Sequence, residues 1–205
     1  MQFNFDCDVT GFEQLSGKVS AVLHASGKIP AEQFVIAASS YSPCLSRQLG
    51  VRLPIQPVKG YSLTAPVGAW SRPPKIAVID EEMHAAVCPL GSRLRVAGTA
   101  EFAGYDDKVT ASRVDNLVSL LRKLYPEYRE HMRESELQSW TGLRPMTPDG
   151  VGIMSRTKIP NLFINSGHGH LGWTMAPGAG KALADLMIKG QADIDMDDYS
   201  LGRFR

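Results

Sequence analysis

The amino-acid sequence predicts an α+β fold, built from antiparallel and mixed sheets of short strands and a few helices. Three observations lead to this prediction. Short alternating or apolar runs, parted by turn residues, recur through much of the chain. A helical pattern from Val114 to Tyr125 interrupts them. Late in the chain, an apolar run, a glycine-rich turn and a second helical pattern follow one another, an order that delivers a loop to the ligand edge of an α/β sheet.

The first part of the chain predicts antiparallel strands. Apolar and polar residues alternate from Gln2 to Val9 and from Lys18 to Ala25, and residues 11–17 between them are rich in turn formers. The run from Phe34 to Ala38 is short and continuously apolar, which predicts a strand buried on both faces. Cap-forming residues follow, so we expect a short helix that ends near Gly50.

The middle of the chain predicts a meander of strands and one amphipathic helix. Apolar residues from Val114 to Tyr125 recur at helical spacing until Pro126 ends the run. Lys59, in the first strand, is expected to be a surface or edge charge rather than a catalytic base. The predicted strands are Pro54–Thr64, Ile76–Ile79, Ala85–Cys88, Arg93–Ala97 and Leu137–Thr141.

The glycine-rich turn is the strongest candidate for a binding loop. It spans Ser166–Trp173, between the apolar run Asn161–Asn165 and a helix that ends at Gly190. Its glycines let the backbone approach a flat or anionic group, and a helix start offers unpaired N–H groups to an electron-rich oxygen. Pro177 is expected to place the helix start at Thr174 or Met175. A strand, a turn and a packing helix without any ligand is the alternative.

Composition excludes several functional classes. A formal net charge of +1 with scattered basic residues gives no reason to expect nucleic acid, and no apolar run approaches the roughly 20 residues of a membrane helix. The three cysteines are widely spaced, which favours neither a disulfide framework nor a metal site. We therefore expect a cytoplasmic protein without a bound metal.

Two groups of motifs resemble a known family. The string Gly142-Leu143-Arg144-Pro145-Met146-Thr147-Pro148-Asp149-Gly150, followed by Asn161-Leu162-Phe163 and the glycine-rich turn, resembles the C-terminal part of the FAD-dependent D-amino acid dehydrogenases. These enzymes belong to the wider D-amino acid oxidase and glycine oxidase family. Upstream, Ser40–Ser42 and Pro57–Thr64 fit the same family in the same order, so the resemblance covers the chain from about Phe34 onward.

The resemblance also implies an element that this sequence lacks. The family opens with a strand, a G-x-G-x-x-G turn and a helix that hold the ADP half of FAD, and residues 1–34 contain no such pattern. We therefore expect the C-terminal half of such an enzyme. Residues 1–54 would be partial FAD-binding elements and 55–140 an antiparallel substrate-binding domain. Residues 141–205 would supply the strand, loop and helix of a Rossmann-like domain whose N-terminal half is absent.

The resemblance implies which residues meet substrate and cofactor. Arg144 matches the arginine that holds the substrate carboxylate, and its planar fork suits two parallel hydrogen bonds. A surface arginine or a structural ion pair is the alternative. Tyr61, Tyr105 and His170 are further candidate substrate contacts, and no catalytic base is predicted. Ser39 stands where a glycine is expected. The implied FAD contacts are Ala37, Ala38, Ser39, Gly142, Gly167, His168, Gly169, Leu171, Gly172, Trp173 and Thr174.

The implied reaction is the oxidation of a D-amino acid. Hydride would pass from the Cα atom to FAD, leaving an imino acid that hydrolyses to a keto acid and ammonia, and a quinone or another carrier would accept the electrons. The intact enzyme could associate peripherally with the inner membrane. Two other functions remain open: an oxidase of the family that acts on glycine, sarcosine or hydroxyproline, and a non-catalytic domain that binds a partner.

Overall fold

The structure, a computed structural model, describes residues 1–204 and contains strands, α-helices and several short 3-10 helices. The strands are β1 Val9–Leu15, β2 Lys18–His24, β3 Gly27–Pro30, β4 Phe34–Ile36, β5 Gln56–Pro66, β6 Val78–Asp80, β7 Ala85–Leu90, β8 Arg93–Glu101, β9 Gln138–Met146, β10 Ile153–Arg156 and β11 Leu162–Ser166. The α-helices are α1 Ser42–Gln48, α2 Ala111–Leu124 and α3 Gly172–Lys189.

The chain divides into two compact units. The first contains residues 1–56 and 144–205, and the second contains residues 57–143. The division after residues 54 and 140 into FAD-binding and substrate-binding parts stays a prediction. The overall class is α+β with mixed and antiparallel sheets, as the sequence predicts.

The first unit is built around a small mixed sheet in the order β10, β11, β4. β4 runs parallel to β11, and β10 runs antiparallel to it. Since parallel strands end at the same edge of a sheet, residues 37–39 and 167–172 leave it side by side. α3 packs on β10 and β11 through Ala179, Ala182 and Leu183, the face that its helical spacing predicts.

A second, antiparallel sheet of β1, β2 and β3 belongs to the same unit. The predicted strand from Gln2 to Val9 is wrong, and β1 instead occupies the segment predicted to be a turn. Phe3 and Phe5 alternate with polar residues, but both side chains are exposed. The alternation therefore does not correspond to a strand with one buried face. The Asn161 side chain joins the two sheets, because its amide donates to the carbonyl oxygens of Val19 (2.7 Å) and Glu32 (3.0 Å).

Two further elements differ from the sequence expectation. α3 begins at Gly172, so the prediction that Pro177 delays its start is wrong. Met175 N–H makes the first helical bond, to the carbonyl oxygen of Leu171, and Pro177 is accommodated inside the helix. β10 was not predicted, although Ile153, Met154 and Ser155 are all buried. It has only four residues, too few to establish a period.

The last described segment, residues 201–204, is fastened to the turn that follows β9. The Arg203 guanidinium donates to both carboxylate oxygens of Asp149, at 2.7 and 3.2 Å, and to the carbonyl oxygen of Val151 at 2.6 Å. Leu201 N–H donates to the Ser155 hydroxyl at 3.0 Å. The bonds from Arg203 lower the pKa of Asp149 to about 2.

The second unit is a five-stranded sheet in the order β6, β7, β8, β5, β9, in which β6, β7, β8 and β5 pair antiparallel with one another in that order. β6, β7 and β8, which lie side by side from one edge of the sheet, form the meander that the sequence predicts. α2 packs on this sheet, as its helical spacing predicts. Alternate residues of β5 and β8, among them Leu63, Leu94 and Val96, are fully buried beneath the helix residues Leu120 and Leu121. Trp70 and Tyr128 pack against each other at the same core, with ring centroids 5.2 Å apart.

Lys59 is fully buried in this unit, so the expectation of a surface or edge charge is wrong. Its ammonium group donates to Asp106 at 2.7 Å and lies 3.7 Å from Glu101. Glu101 in turn accepts a hydrogen bond from the Tyr61 hydroxyl. The bond to Asp106 raises the pKa of Lys59, which keeps the buried amine charged.

Within residues 1–204, the helices are all too short or too polar to cross a bilayer.

The Asp149–Arg203 pair predicts a pH dependence of stability. The folded-state pKa of Asp149 is about 2, below the ordinary value of roughly 3.9 for an unfolded chain. The ion pair therefore stabilises the fold above about pH 4 and is lost as pH falls toward 2. Because Asp149 is partly exposed, the contribution is about 1 kcal/mol or less. Urea unfolding of the wild type and Asp149→Asn should converge at low pH. A difference that is unchanged from pH 6 to pH 2.5 would contradict this assignment.

The Lys59 network predicts an asymmetry between its two partners. Asp106→Ala leaves a buried ammonium without its closest counter-charge, whereas Lys59→Met fills the same volume and leaves Asp106 partly exposed to water. Asp106→Ala should therefore lower the thermal midpoint more than Lys59→Met does. The neighbouring exposed residue supplies a control, Asp107→Ala, which should change little. Equal losses for Asp106→Ala and Asp107→Ala would mean that the ion pair does not stabilise the unit.

Candidate functional site

The glycine-rich turn of residues 166–173 is called the glycine-rich loop below. In the first unit, its backbone is hydrogen-bonded to the backbone at the end of β9. Gly169 N–H donates to the Pro145 carbonyl oxygen at 2.9 Å, and Met146 forms an isolated antiparallel bridge with His168. Arg144 directly precedes this junction. The structure thus brings the predicted carboxylate-binding residue next to the predicted cofactor loop.

The loop requires glycine for two independent reasons. Gly167 and Gly169 adopt positive φ angles of 83° and 56°, which side-chain-bearing residues rarely adopt. A Cβ atom on Gly167 would lie 2.8 Å from Cγ2 of Thr147, and one on Gly169 would lie 2.8 Å from the sulfur of Met146. The close approach of residues 146–147 to the loop therefore depends on the missing side chains.

The first turn of α3 follows directly from this loop. Because the first helical bond is made by Met175 N–H, the N–H groups of Gly172, Trp173 and Thr174 have no partner within the helix. Among residues 1–204, no side chain caps this turn. The helix dipole adds positive potential there, and Trp173 is 94% exposed. This turn can bind an electron-rich oxygen through its backbone.

The loop after β4 lies at the same edge of the sheet. Ala37 and Ser39 are exposed and Ala38 is partly exposed. Ser39 has a φ angle of 51°, which explains why its position suits a glycine. Its carbonyl oxygen accepts a hydrogen bond from the Ser166 hydroxyl, which accepts one from Ser42, both at 2.9 Å. These bonds tie the end of β11 to the loop after β4.

Arg144 and His168 are partly buried at the junction. Burial lowers the pKa of both side chains. The guanidinium remains charged near pH 7, because its ordinary pKa is far above that, whereas the imidazole is held neutral. Arg144 can therefore bind a carboxylate, while His168 supplies an uncharged ring. His170 is exposed, and Leu171 is 47% exposed.

Two buried polar atoms at this site have no hydrogen-bond partner within the described residues: Nε2 of His168 and Oδ1 of Asn165. Asn165 lies near the end of β11, directly before the loop. Buried polar atoms normally have partners, so unsatisfied ones at a glycine-rich loop indicate a place where a ligand or water completes the bonding. Asn165 was not among the sequence candidates, because an asparagine inside an apolar strand carries no motif.

Three sequence candidates belong to the second unit. Tyr61 is 1% exposed, and its hydroxyl donates to Glu101 at 2.5 Å, so it lies in the core. Tyr105 is 44% exposed and lies in the turn before Asp106. Gly142 lies on β9, where the indole ring of Trp140 covers it.

Sequence reasoning also missed residues that shape the loop. Met146 and Thr147 contact its glycines, and Gly152 leaves room for the His168 ring, whose Cδ2 atom lies 2.6 Å from where a Cβ would be. The available signal was the turn Thr147-Pro148-Asp149-Gly150, in which Asp149 accepts the Val151 N–H at 3.0 Å. Its position beside the loop is a tertiary contact that local patterns do not encode.

A pair of glycine substitutions tests the packing of the loop. Gly167→Ala should destabilise the protein by about 1–3 kcal/mol, because it combines a positive φ angle with a clash against Thr147. Gly178→Ala, in α3, has an ordinary φ angle and meets no atom within 4 Å, so it should stabilise by about 0.5–1 kcal/mol. Denaturant unfolding measures both changes. Similar effects of the two substitutions would show that the loop is not tightly packed.

Comparison with known proteins shows the family of this chain. A family model described as FAD dependent oxidoreductase, DAO, matches residues 1–186. The chain is 44% identical over 203 residues to a D-amino acid dehydrogenase of Xanthobacter autotrophicus, covering 98% of this chain and 48% of the relative. A D-amino acid dehydrogenase of Vibrio atlanticus is 39% identical over 204 residues, covering 100% and 48%. The chain thus spans about half the length of these curated relatives.

Solved structures share the fold. Glycine oxidase from Geobacillus kaustophilus superposes with a TM-score of 0.84 at 26% identity, covering 95% of this chain and 51% of that one. L-proline dehydrogenase from P. horikoshii superposes with a TM-score of 0.83 at 22% identity, covering 97% and 54%. The match to the family model and the identity with the curated relatives carry the conclusion: the chain belongs to the DAO family of FAD dependent oxidoreductases.

Proposed function

We propose that this chain is part of an FAD-dependent D-amino acid dehydrogenase. In this enzyme Arg144 would bind the substrate, and the glycine-rich loop would contact the flavin ring. The observation that carries the proposal is the backbone junction between Pro145 and Gly169, which keeps Arg144 beside a glycine-rich loop and an uncapped helix start. The names of the curated relatives, at 39–44% identity, support the choice of D-amino acids.

The residues of the first unit fit one part of FAD. A flat ring system with electron-rich oxygens suits a loop that excludes Cβ atoms and a helix start that offers N–H groups. The unsatisfied atoms of Asn165 and His168 suit a group that both donates and accepts hydrogen bonds. The residues that would hold the ring are Ala37, Ala38, Ser39, Gly167, His168, Gly169, Leu171, Gly172, Trp173 and Thr174. Bound FAD would supply the redox chemistry by accepting the hydride of the substrate Cα.

Arg144 would bind and orient the substrate. Its guanidinium can make two charge-assisted hydrogen bonds to the α-carboxylate, and its partial burial strengthens them by excluding water. Fixing the carboxylate restricts where the Cα–H bond can point, and such orientation contributes much of the rate in a reaction that needs no protein nucleophile. Tyr105 and His170, whose side chains are exposed, remain candidates for contacts with the rest of the substrate. Tyr61 is also predicted to contact the substrate, but it is 1% exposed and would first have to become accessible. Gly142 remains a candidate cofactor contact.

The neighbouring groups would set the electrostatic environment. The backbone N–H groups of Gly172, Trp173 and Thr174 can stabilise negative charge on the flavin ring that would accept the hydride. The α3 dipole adds positive potential at the same place. His168 is held neutral by burial, so it adds no positive charge that would compete with Arg144 for the carboxylate. A substrate whose amine enters neutral needs no dedicated base, and the electrons would then pass to a quinone or another carrier.

A second candidate is oxidation of glycine or a secondary amino acid. The likeness to glycine oxidase from Geobacillus kaustophilus favours it, since Arg144 would recognise any α-carboxylate. The two candidates differ in the space required around the Cα atom. A third candidate, a domain that binds a partner without catalysis, would need no FAD.

The test joins this chain to the half of the Xanthobacter autotrophicus relative that it does not match. The purified protein, loaded with FAD, is mixed without oxygen with D-alanine, L-alanine, glycine or sarcosine, and loss of flavin absorbance is followed. We expect D-alanine to reduce the flavin fastest. Arg144→Ala should lower kcat/KM by roughly 100-fold, because it removes charge-assisted bonds to the carboxylate. Arg129→Ala, at an exposed arginine in the second unit, is the control and should change little.

Each result separates the candidates. Faster reduction by glycine or sarcosine would favour the second candidate. Reduction by D-alanine that is unaffected by Arg144→Ala would contradict the role of Arg144. A joined protein that does not bind FAD would favour the partner-binding function.

A further inference from the structure

Arg203 is connected to the candidate site by an unbroken series of contacts within the first unit. Its guanidinium holds both oxygens of Asp149 and the carbonyl oxygen of Val151. Only 14% of its side chain is exposed, and the guanidinium stacks on the Phe204 ring at 4.1 Å. Its position is therefore restricted from several sides, unlike that of an ordinary surface ion pair.

The turn held by Arg203 is closed by its own internal bonds. The Thr147 hydroxyl donates to the Val151 carbonyl oxygen at 2.9 Å, and Val151 N–H donates to Asp149 at 3.0 Å. Val151 is the point where these bonds and that of Arg203 meet. A shift of Val151 would therefore be transmitted to Thr147.

Thr147 and Met146 form the other end of the series. Both contact the glycine-rich loop, Thr147 at Gly167 and Met146 at Gly169. The Pro145 carbonyl oxygen accepts the Gly169 N–H, and Arg144 precedes it. The path from Arg203 to Arg144 thus runs through one turn and one backbone junction, each held by hydrogen bonds between protein groups.

We propose that Arg203 is a positioning residue: by holding the turn at residues 147–151, it keeps Arg144 and the glycine-rich loop in the relative placement that substrate binding requires. The reference to substrate rests on the proposed function, whereas the effect on the loop does not. Arg203 contacts none of the reacting groups. It acts through Asp149 and Val151.

Amide hydrogen exchange on this chain tests the effect on the loop. In Arg203→Gln, exchange of the Gly169 N–H should accelerate by about tenfold, because a charge-assisted anchor of the turn is lost and local opening becomes easier. Arg203→Lys keeps the charge but lacks the fork, so it should give an intermediate rate.

Arg156 provides a matched control in the same unit. It also bonds backbone carbonyls, donating to Leu186 at 2.8 Å and Gly190 at 3.4 Å, at the end of α3 remote in sequence from the loop. Arg156→Gln should lower the thermal midpoint without accelerating Gly169 exchange. If Arg203→Gln lowers the midpoint while Gly169 exchange is unchanged, or if Arg156→Gln accelerates it equally, the proposal is overturned.

The joined protein tests the effect on substrate. Arg203→Gln should raise KM for D-alanine about tenfold with a smaller change in kcat, and Arg203→Lys should restore part of the affinity. Faster Gly169 exchange with an unchanged KM would overturn the positioning role for substrate and leave only a structural one. If the unsubstituted joined protein is reduced by no amino acid, the proposed function fails, and the exchange measurement still decides whether Arg203 holds the loop.

Discussion

The hydrogen bond from Gly169 to Pro145 is the interaction on which the candidate site depends. It joins two segments that are far apart in sequence, the end of β9 and the loop after β11, and places Arg144 beside that loop. The bond is possible only because the loop carries no side chains at its closest points, where Thr147 and Met146 occupy the space. The glycines are thus a packing requirement as well as a conformational one.

The parallel pairing of β4 with β11 provides the second constraint. Because both strands end at one edge, the backbone after Ile36 and the backbone after Ser166 are brought together, and the bond from Ser166 to Ser39 fixes them there. α3 then starts directly from the loop, without a side-chain cap among the described residues. Strand pairing, glycine packing and an uncapped helix start together form a surface that suits a flat, electron-rich cofactor.

The sequence predicts an element well where the apolar pattern extends over many residues and a proline or glycine marks its end. α2 ended before Pro126 and α3 ended at Gly190, which has the expected left-handed conformation. The prediction failed where local pattern and tertiary environment disagree. The alternation at Phe3 and Phe5 faces solvent, β10 is too short to show a period, and Lys59 is buried because Asp106 is brought to it from a distant loop. The motif around Arg144 was visible in sequence, but the roles of Asn165, Gly152 and Arg203 arise from contacts that only the fold creates.

We propose that the glycine-rich loop, packed against residues 145–147, forms part of a flavin site. Titration of FAD by fluorescence quenching tests it most directly, using the protein joined to the unmatched half of the Xanthobacter autotrophicus relative. In Gly169→Ala the added methyl group meets the Met146 sulfur, so FAD binding should weaken by about tenfold or more, whereas Gly178→Ala should bind as the parent does. Equal affinity for FAD in the parent and Gly169→Ala, with both proteins folded, would show that the packing of the loop against Met146 does not form the flavin site.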